Sequence, residues 1–146
     1  MDSKSKMEDY IQNSLLETLS LLKKISESKK FILDIKQASN LIIDSIKGNH
    51  CIYIAGNGGS AAHSQHFAAD LVSKFNFDRN PLPSIALTTD TSIITAIAND
   101  YGYEKLFERQ LKGLSKAGDV FIGLTTSGKS RNIIKSRLYS VDQLLN

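Results

Sequence analysis

The sequence has 146 residues, and its 41% apolar and 23% charged residues suit a single globular domain with a real core. The net charge of +3 is modest. Lysines near the N-terminus (Lys4, Lys6, Lys23, Lys24, Lys29, Lys30) are interspersed with acids, which reads as a solvated helix face and argues against a nucleic-acid partner. No apolar run approaches the ~20 residues of a membrane span, no signal-peptide core follows Met1, and the single Cys51 leaves no internal disulfide, so the expectation is a cytoplasmic protein with no membrane partner.

Residues 7–47 lack Gly and Pro, and apolar residues recur at helical spacing: Ile11, Leu15, Leu16, Leu19, Leu22, Ile25, then Ile32, Ile35, Leu41, Ile42, Ile46. This predicts two amphipathic helices with a break in 26–30, the second closed by Gly48 as its C′ residue. Residues 51–55 (Cys-Ile-Tyr-Ile-Ala) form a short apolar run without alternation, as a strand buried on both faces does. The chain then runs through Gly56-Asn57-Gly58-Gly59-Ser60 into a helix over 60–75, with Ser60 as its expected N-cap. A strand is predicted at 84–87, a helix capped by Thr91 or Ser92 through Ala98, another at 103–111, and a third strand at 119–124, followed by a hydroxyl-rich loop and a last helix. Strands alternating with helices predict an open three-layer α/β fold, parallel-stranded, with helices on both faces. The expected organisation is an N-terminal helical segment, 1–48, and a binding domain, 49–146.

Two loops at strand ends carry the expected function, because ligands of such sheets bind at the carboxyl ends of strands. In 56–60, glycines allow backbone N–H groups to approach a ligand, and the helix N-terminus adds about half a positive charge. The Ser60 hydroxyl can cap or face a phosphate. A tight strand-to-helix turn without ligand is the other reading. Thr125-Thr126-Ser127-Gly128-Lys129-Ser130 repeats the arrangement with hydroxyls, which bind phosphate without adding fixed charge. Beyond the first loop, His63, His66 and Asp70 are spaced i, i+3, i+7 and share one helix face. His66 and Asp70 can share a metal or bond each other; a solvated polar face with a helix ion pair remains the alternative.

Residues 56–62 (Gly-Asn-Gly-Gly-Ser-Ala-Ala), 65–69 (Gln-His-Phe-Ala-Ala), 86–90 (Ala-Leu-Thr-Thr-Asp), 98–102 (Ala-Asn-Asp-Tyr-Gly) and 125–130, in that order, resemble the SIS (sugar isomerase) domain and, more narrowly, the phosphoheptose isomerases. The resemblance runs from the N-terminal helices to about Ile134. It implies a flavodoxin-like sheet and conversion of sedoheptulose 7-phosphate to D-glycero-D-manno-heptose 7-phosphate for bacterial surface sugars such as lipopolysaccharide. Asn57, Gly58, Gly59, Asn99 and Asp100 would contact the substrate, and Thr125, Thr126, Ser127 and Ser130 would hold its phosphate. His66 and Asp70 would bind zinc and perform catalysis, in a homotetramer packed through the N-terminal helices.

The chain departs from the family in three places. Asp70 stands where the family has a glutamate, one methylene longer. His63 stands where the family often has aspartate. Two further strands and a helix bearing a Gln/His motif would follow in the family, and residues 136–145 do not resemble that segment. These departures keep an alternative open: a non-catalytic phosphosugar-binding or regulatory SIS protein.

Overall fold

The computed structural model describes residues 3–142, with side chains described for 6–136. Two compact units meet between Asn40 and Leu41, within the second helix. The first holds α1 (Ser3–Glu27) and most of α2 (Lys29–Lys47). The predicted break is one residue, Ser28, whose hydroxyl accepts the Phe31 N–H at 3.2 Å and whose carbonyl accepts the Ile32 N–H at 3.1 Å, so it caps α2. On α1, Ile11, Leu15, Leu16, Leu19 and Leu22 are all more than half exposed. No helix among the described residues is long and apolar enough to cross a membrane.

Helix α2 ends differently from the expectation. Asn49, not Gly48, occupies C′ and takes the left-handed conformation, with φ 57°. The His50 N–H reaches the Ser45 carbonyl and the Asn49 N–H the Ile46 carbonyl, both at 3.0 Å, which is a Schellman closure. Asparagine tolerates that conformation at low cost. The glycine at 48 serves space instead, since a Cβ there would lie 2.6 Å from the His50 ring.

The second unit carries a three-stranded parallel sheet ordered β2-β1-β3, from β1 (Ile52–Gly56), β2 (Ser84–Ala86) and β3 (Val120–Leu124). Each strand boundary lies within one residue of the expected one, and Cys51 falls just before β1, half-buried. The helices are α3 (Gly59–Val72), α4 (Thr91–Tyr101), a 3-10 turn at Tyr103–Lys105, α5 (Leu106–Leu114) and α6 (Arg131–Asp142). Every residue of β1 is buried, as its unalternating sequence requires. Tyr53 and Ala55 face Leu87, Leu106, Phe107, Leu111 and Ile133, while Ile52 and Ile54 face Ala68 and Ala86, with Ile42, Ile46, Phe67 and Leu71 packed around them. Helices thus cover both faces. Asp90, not Thr91 or Ser92, caps α4: its carboxylate accepts the Ile93 N–H at 2.9 Å, and a carboxylate at the positive helix end gains charge stabilisation that a hydroxyl lacks.

The amino end of the sheet is pinned by polar bonds. Asp119 accepts the N–H groups of Cys51 and Lys116, both at 2.8 Å, and the Tyr53 hydroxyl donates to the Leu114 carbonyl at 2.9 Å. Burial, then the nearby Cys51 and Asp119, push the Tyr53 phenol up to about 12. An unfolded tyrosine ionises near ~10, so above that pH the unfolded chain loses a proton the native state retains. Stability from this group is complete below pH ~10 and is lost as pH rises toward 12. We expect melting temperature to fall across that window in wild type more steeply than in Tyr53→Phe; parallel curves would refute the assignment.

Candidate functional site

Strand order 2-1-3 makes the junction of β1 and β3 the switch point, where the chain leaves the sheet in opposite directions and a crevice opens at the carboxyl ends. The register pairs Gly56 with Leu124, the last residues of the two strands. Both predicted loops therefore start side by side, about 4.8 Å apart. This is the site's central geometric fact.

In the first loop Gly58 has φ 54° with ψ −124°, a pair of angles outside the left-handed helical region and costly for any residue with a Cβ. It is the N-cap of α3, with no side-chain cap bond. Ser60 is therefore inside the first turn and not the cap: the positive-φ residue sets the helix start two positions earlier. A Cβ built on Gly58 or Gly59 would meet nothing within 4 Å, so this turn faces open space. In the second loop the hydroxyls of Thr125 and Ser130 are 3.1 Å apart, and Ser127 Oγ accepts the Lys129 N–H at 3.1 Å. Thr125 and Ser127 oxygens lie 3.5 Å apart. Three hydroxyls thus converge, each able to turn its proton toward an anion. Thr126 is exposed beside them.

Two residues that sequence reasoning missed organise the first loop. Asn132, at the start of α6, exchanges amide bonds with Asn57: Asn57 Nδ2 donates to Asn132 Oδ1 at 2.9 Å, and Asn132 Nδ2 donates to Asn57 Oδ1 at 2.8 Å. The Tyr103 hydroxyl also donates to Asn57 Oδ1, at 2.9 Å. Glu104, next to Tyr103, bonds Lys135 of α6 at 2.6 Å, and that bond, with the lysine's charge, lowers the Glu104 carboxyl below its usual range. Asn57, Tyr103, Gly56, Gly58 and Thr88 line a cavity of about 90 Å³.

Asn99 and Asp100 lie in the last turn of α4, where the Asn99 amide donates to the Asp100 carboxylate at 2.7 Å. Asp100 lines a groove between α4 and α5 with Arg109 and Gln110, separate from the cavity at the first loop. His66 and Asp70 occupy successive turns of α3, about 10 and 16 Å beyond Gly59 along the axis. His66 Nε2 and Asp70 Oδ2 are 3.6 Å apart, and the histidine is 79% exposed. Arg79 donates to the carbonyls of Asp70 and Leu71 at 2.7 and 2.8 Å, which fixes the end of α3. His63 is exposed on the same helix.

Two ligands of one tetrahedral zinc stand about 3.4 Å apart, so the His66–Asp70 spacing suits a shared ion. Among the described residues no group of three His, Cys, Asp or Glu side chains could hold a metal. Among the described residues His66 and Asp70 thus offer two side chains where a tetrahedral zinc takes four ligands.

The family description of the SIS domain matches residues 15–143. The chain belongs to the SIS-domain family, among the phosphoheptose isomerases. It is similar to the phosphoheptose isomerase of Sulfurimonas denitrificans, 48% identical over 130 residues covering 89% of this chain and 67% of that protein. The phosphoheptose isomerase of Aneurinibacillus thermoaerophilus is 49% identical over 130 residues, 89% of this chain and 66% of its own. This SIS domain thus spans about two thirds of the length of the curated relatives it matches. Among solved structures, phosphoheptose isomerase GmhA from Neisseria gonorrhoeae superposes with a TM-score of 0.83 at 34% identity, over 94% of this chain and 70% of that one. The Francisella tularensis phosphoheptose isomerase gives 0.81 at 31% identity, over 98% and 72%. The α/β fold, the parallel sheet and the N-terminal helices expected from sequence are those of these structures.

Proposed function

We propose that the protein is a ketose–aldose isomerase that converts sedoheptulose 7-phosphate to D-glycero-D-manno-heptose 7-phosphate, a step of heptose biosynthesis. The observation that carries this reading is the pairing of Gly56 with Leu124, which sets the glycine loop beside the hydroxyl loop, with His66 and Asp70 on the helix leading out of the first. In this reading Thr125, Ser127 and Ser130, with Thr126, hold the phosphate, and Asn57, Gly58, Gly59 and Ser60 contact the substrate. Asn99 and Asp100 belong to the sugar contacts in the related proteins' pattern, and they enter here on that resemblance alone.

The chemistry needs a base that moves a proton between adjacent carbons and a group that stabilises the enediolate formed between. Asp70, one helical turn from His66, takes the base role; the imidazole stabilises the neighbouring charge. His66 and Asp70 would also hold zinc, which when bound supplies a Lewis acid for the enediolate oxygens. The assembly in this reading is a homotetramer in the cytoplasm; the exposed leucines and isoleucines of α1 support association, because so large an apolar stripe gains by burial.

Incubating the protein with sedoheptulose 7-phosphate and zinc and following the aldose product tests the activity, and sedimentation velocity tests the tetramer. A second reading, phosphosugar binding without catalysis, draws on the incomplete ligand set among the described residues. Binding with no turnover would establish that reading and reject the first.

A further inference from the structure

We propose that Asn132 is a positioning residue for the phosphosugar site, acting through Asn57; the inference rests on the site reading above. Asn132 is 3% exposed, although its side chain is polar and opens a helix. Burial of an amide costs energy unless its bonds are made, and here they are. Asn132 Oδ1 accepts from Asn57 Nδ2 at 2.9 Å and from the Ile133 N–H at 3.0 Å, while its Nδ2 donates to Asn57 Oδ1 at 2.8 Å.

The consequence falls on Asn57. Its Oδ1 accepts from both Asn132 and the Tyr103 hydroxyl, so both lone pairs are occupied. Its Nδ2 spends one proton on Asn132. One N–H remains, and Asn57 can only donate to whatever enters the crevice. That selects an oxygen acceptor, on a phosphate or a sugar. Without Asn132 only the Tyr103 hydroxyl holds the amide, and since that hydroxyl can accept as well as donate, the flipped amide can present its oxygen, which would repel an anionic phosphate. Asn132 also belongs to the helix that follows the hydroxyl loop, 75 residues along the chain from Asn57. Its pair with Asn57 therefore holds the two loops in one arrangement.

The test uses titration with sedoheptulose 7-phosphate, followed by amide NMR, on wild type, Asn132→Ala and Asn132→Asp. Asn132→Ala leaves Asn57 without its partner, and we expect affinity to fall about tenfold or more. Asn132→Asp separates positioning from packing. Its carboxylate, ionised above the ordinary aspartate pKa of ~3.9, matches the amide in size but can only accept, so it cannot donate to Asn57 Oδ1. At pH 8 Asn132→Asp should bind about tenfold more weakly than wild type. The Asn57 side-chain amide signals should shift on titration of wild type, and that shift should be lost in Asn132→Asp. Wild-type affinity in Asn132→Asp, or an unchanged Asn57 side-chain shift, would overturn the proposal. If Asn132→Ala does not fold, the aspartate variant decides alone. Absence of binding by wild type would instead reject the phosphosugar reading itself.

Discussion

Replacing Asp70 with alanine is expected to lower conversion of sedoheptulose 7-phosphate by about 10²- to 10⁴-fold, the usual loss when a positioned general base is removed. Phosphate affinity should change little, because the hydroxyl loop lies at the other end of α3. Melting temperature should hold as well. Asp70 helps fix the fold through its backbone carbonyl, which accepts from Arg79, and that carbonyl survives the substitution. The informative companion is Asp70→Glu. Asp70 stands where the related enzymes' pattern has glutamate, and an added methylene carries the carboxylate about 1 Å further from the helix toward the substrate. A misplacement near 1 Å can cost about 100-fold in rate, so Asp70→Glu should raise turnover, by up to that factor. Unchanged turnover in Asp70→Ala would remove Asp70 from the chemistry; a fall in Asp70→Glu would show that this site is shaped for the shorter acid.

Gly56→Ala is expected to have the second large effect. A Cβ at this position would lie 2.6 Å from the Ser60 carbonyl oxygen and 2.7 Å from its carbonyl carbon. Those atoms are backbone in the first turn of α3 and cannot rotate aside. The helix must move away from the strand, at about 1–3 kcal/mol or more, and it takes Asn57 and Gly58 with it. Both melting temperature and sugar-phosphate affinity should drop. Gly59→Ala is the control for stability, since nothing lies within 4 Å of its Cβ and alanine suits a helix. If Gly56→Ala melts like wild type, the close strand-to-helix approach does not hold in solution.

Much of this architecture was legible from local pattern. A stretch without Gly or Pro gave α1 and α2, an unalternating apolar run gave β1, and the two loops stood out by composition. Local chemistry misled where two caps competed. Ser60, Thr91 and Ser92 are good capping residues by type, yet Gly58 and Asp90 hold those positions, one because of its φ and the other because of its charge. The Gly48 expectation failed similarly, as Asn49 took the left-handed turn. Asn132, Tyr103 and Arg79 were invisible for a different reason. Asn132 and Tyr103 matter through bonds to Asn57 spanning 75 and 46 residues, and no periodicity encodes a pairing of that kind. Arg79 reads as an ordinary surface cation until the end of α3 is seen folded against it.

The order of strands across the sheet has a consequence for how the molecule assembles. β1 lies in the middle, yet both of its neighbours come later in the chain. During synthesis it can gain no sheet partner until β2 emerges, and its pairing with β3 closes a loop of 68 residues between Gly56 and Leu124. Closing so long a loop carries an entropic cost that only later contacts offset, so this pairing belongs to the slow part of folding. The crevice at the switch point exists only after that event. The first loop is made early and waits as an unmatched half, and the site comes into being in the same step that completes the sheet.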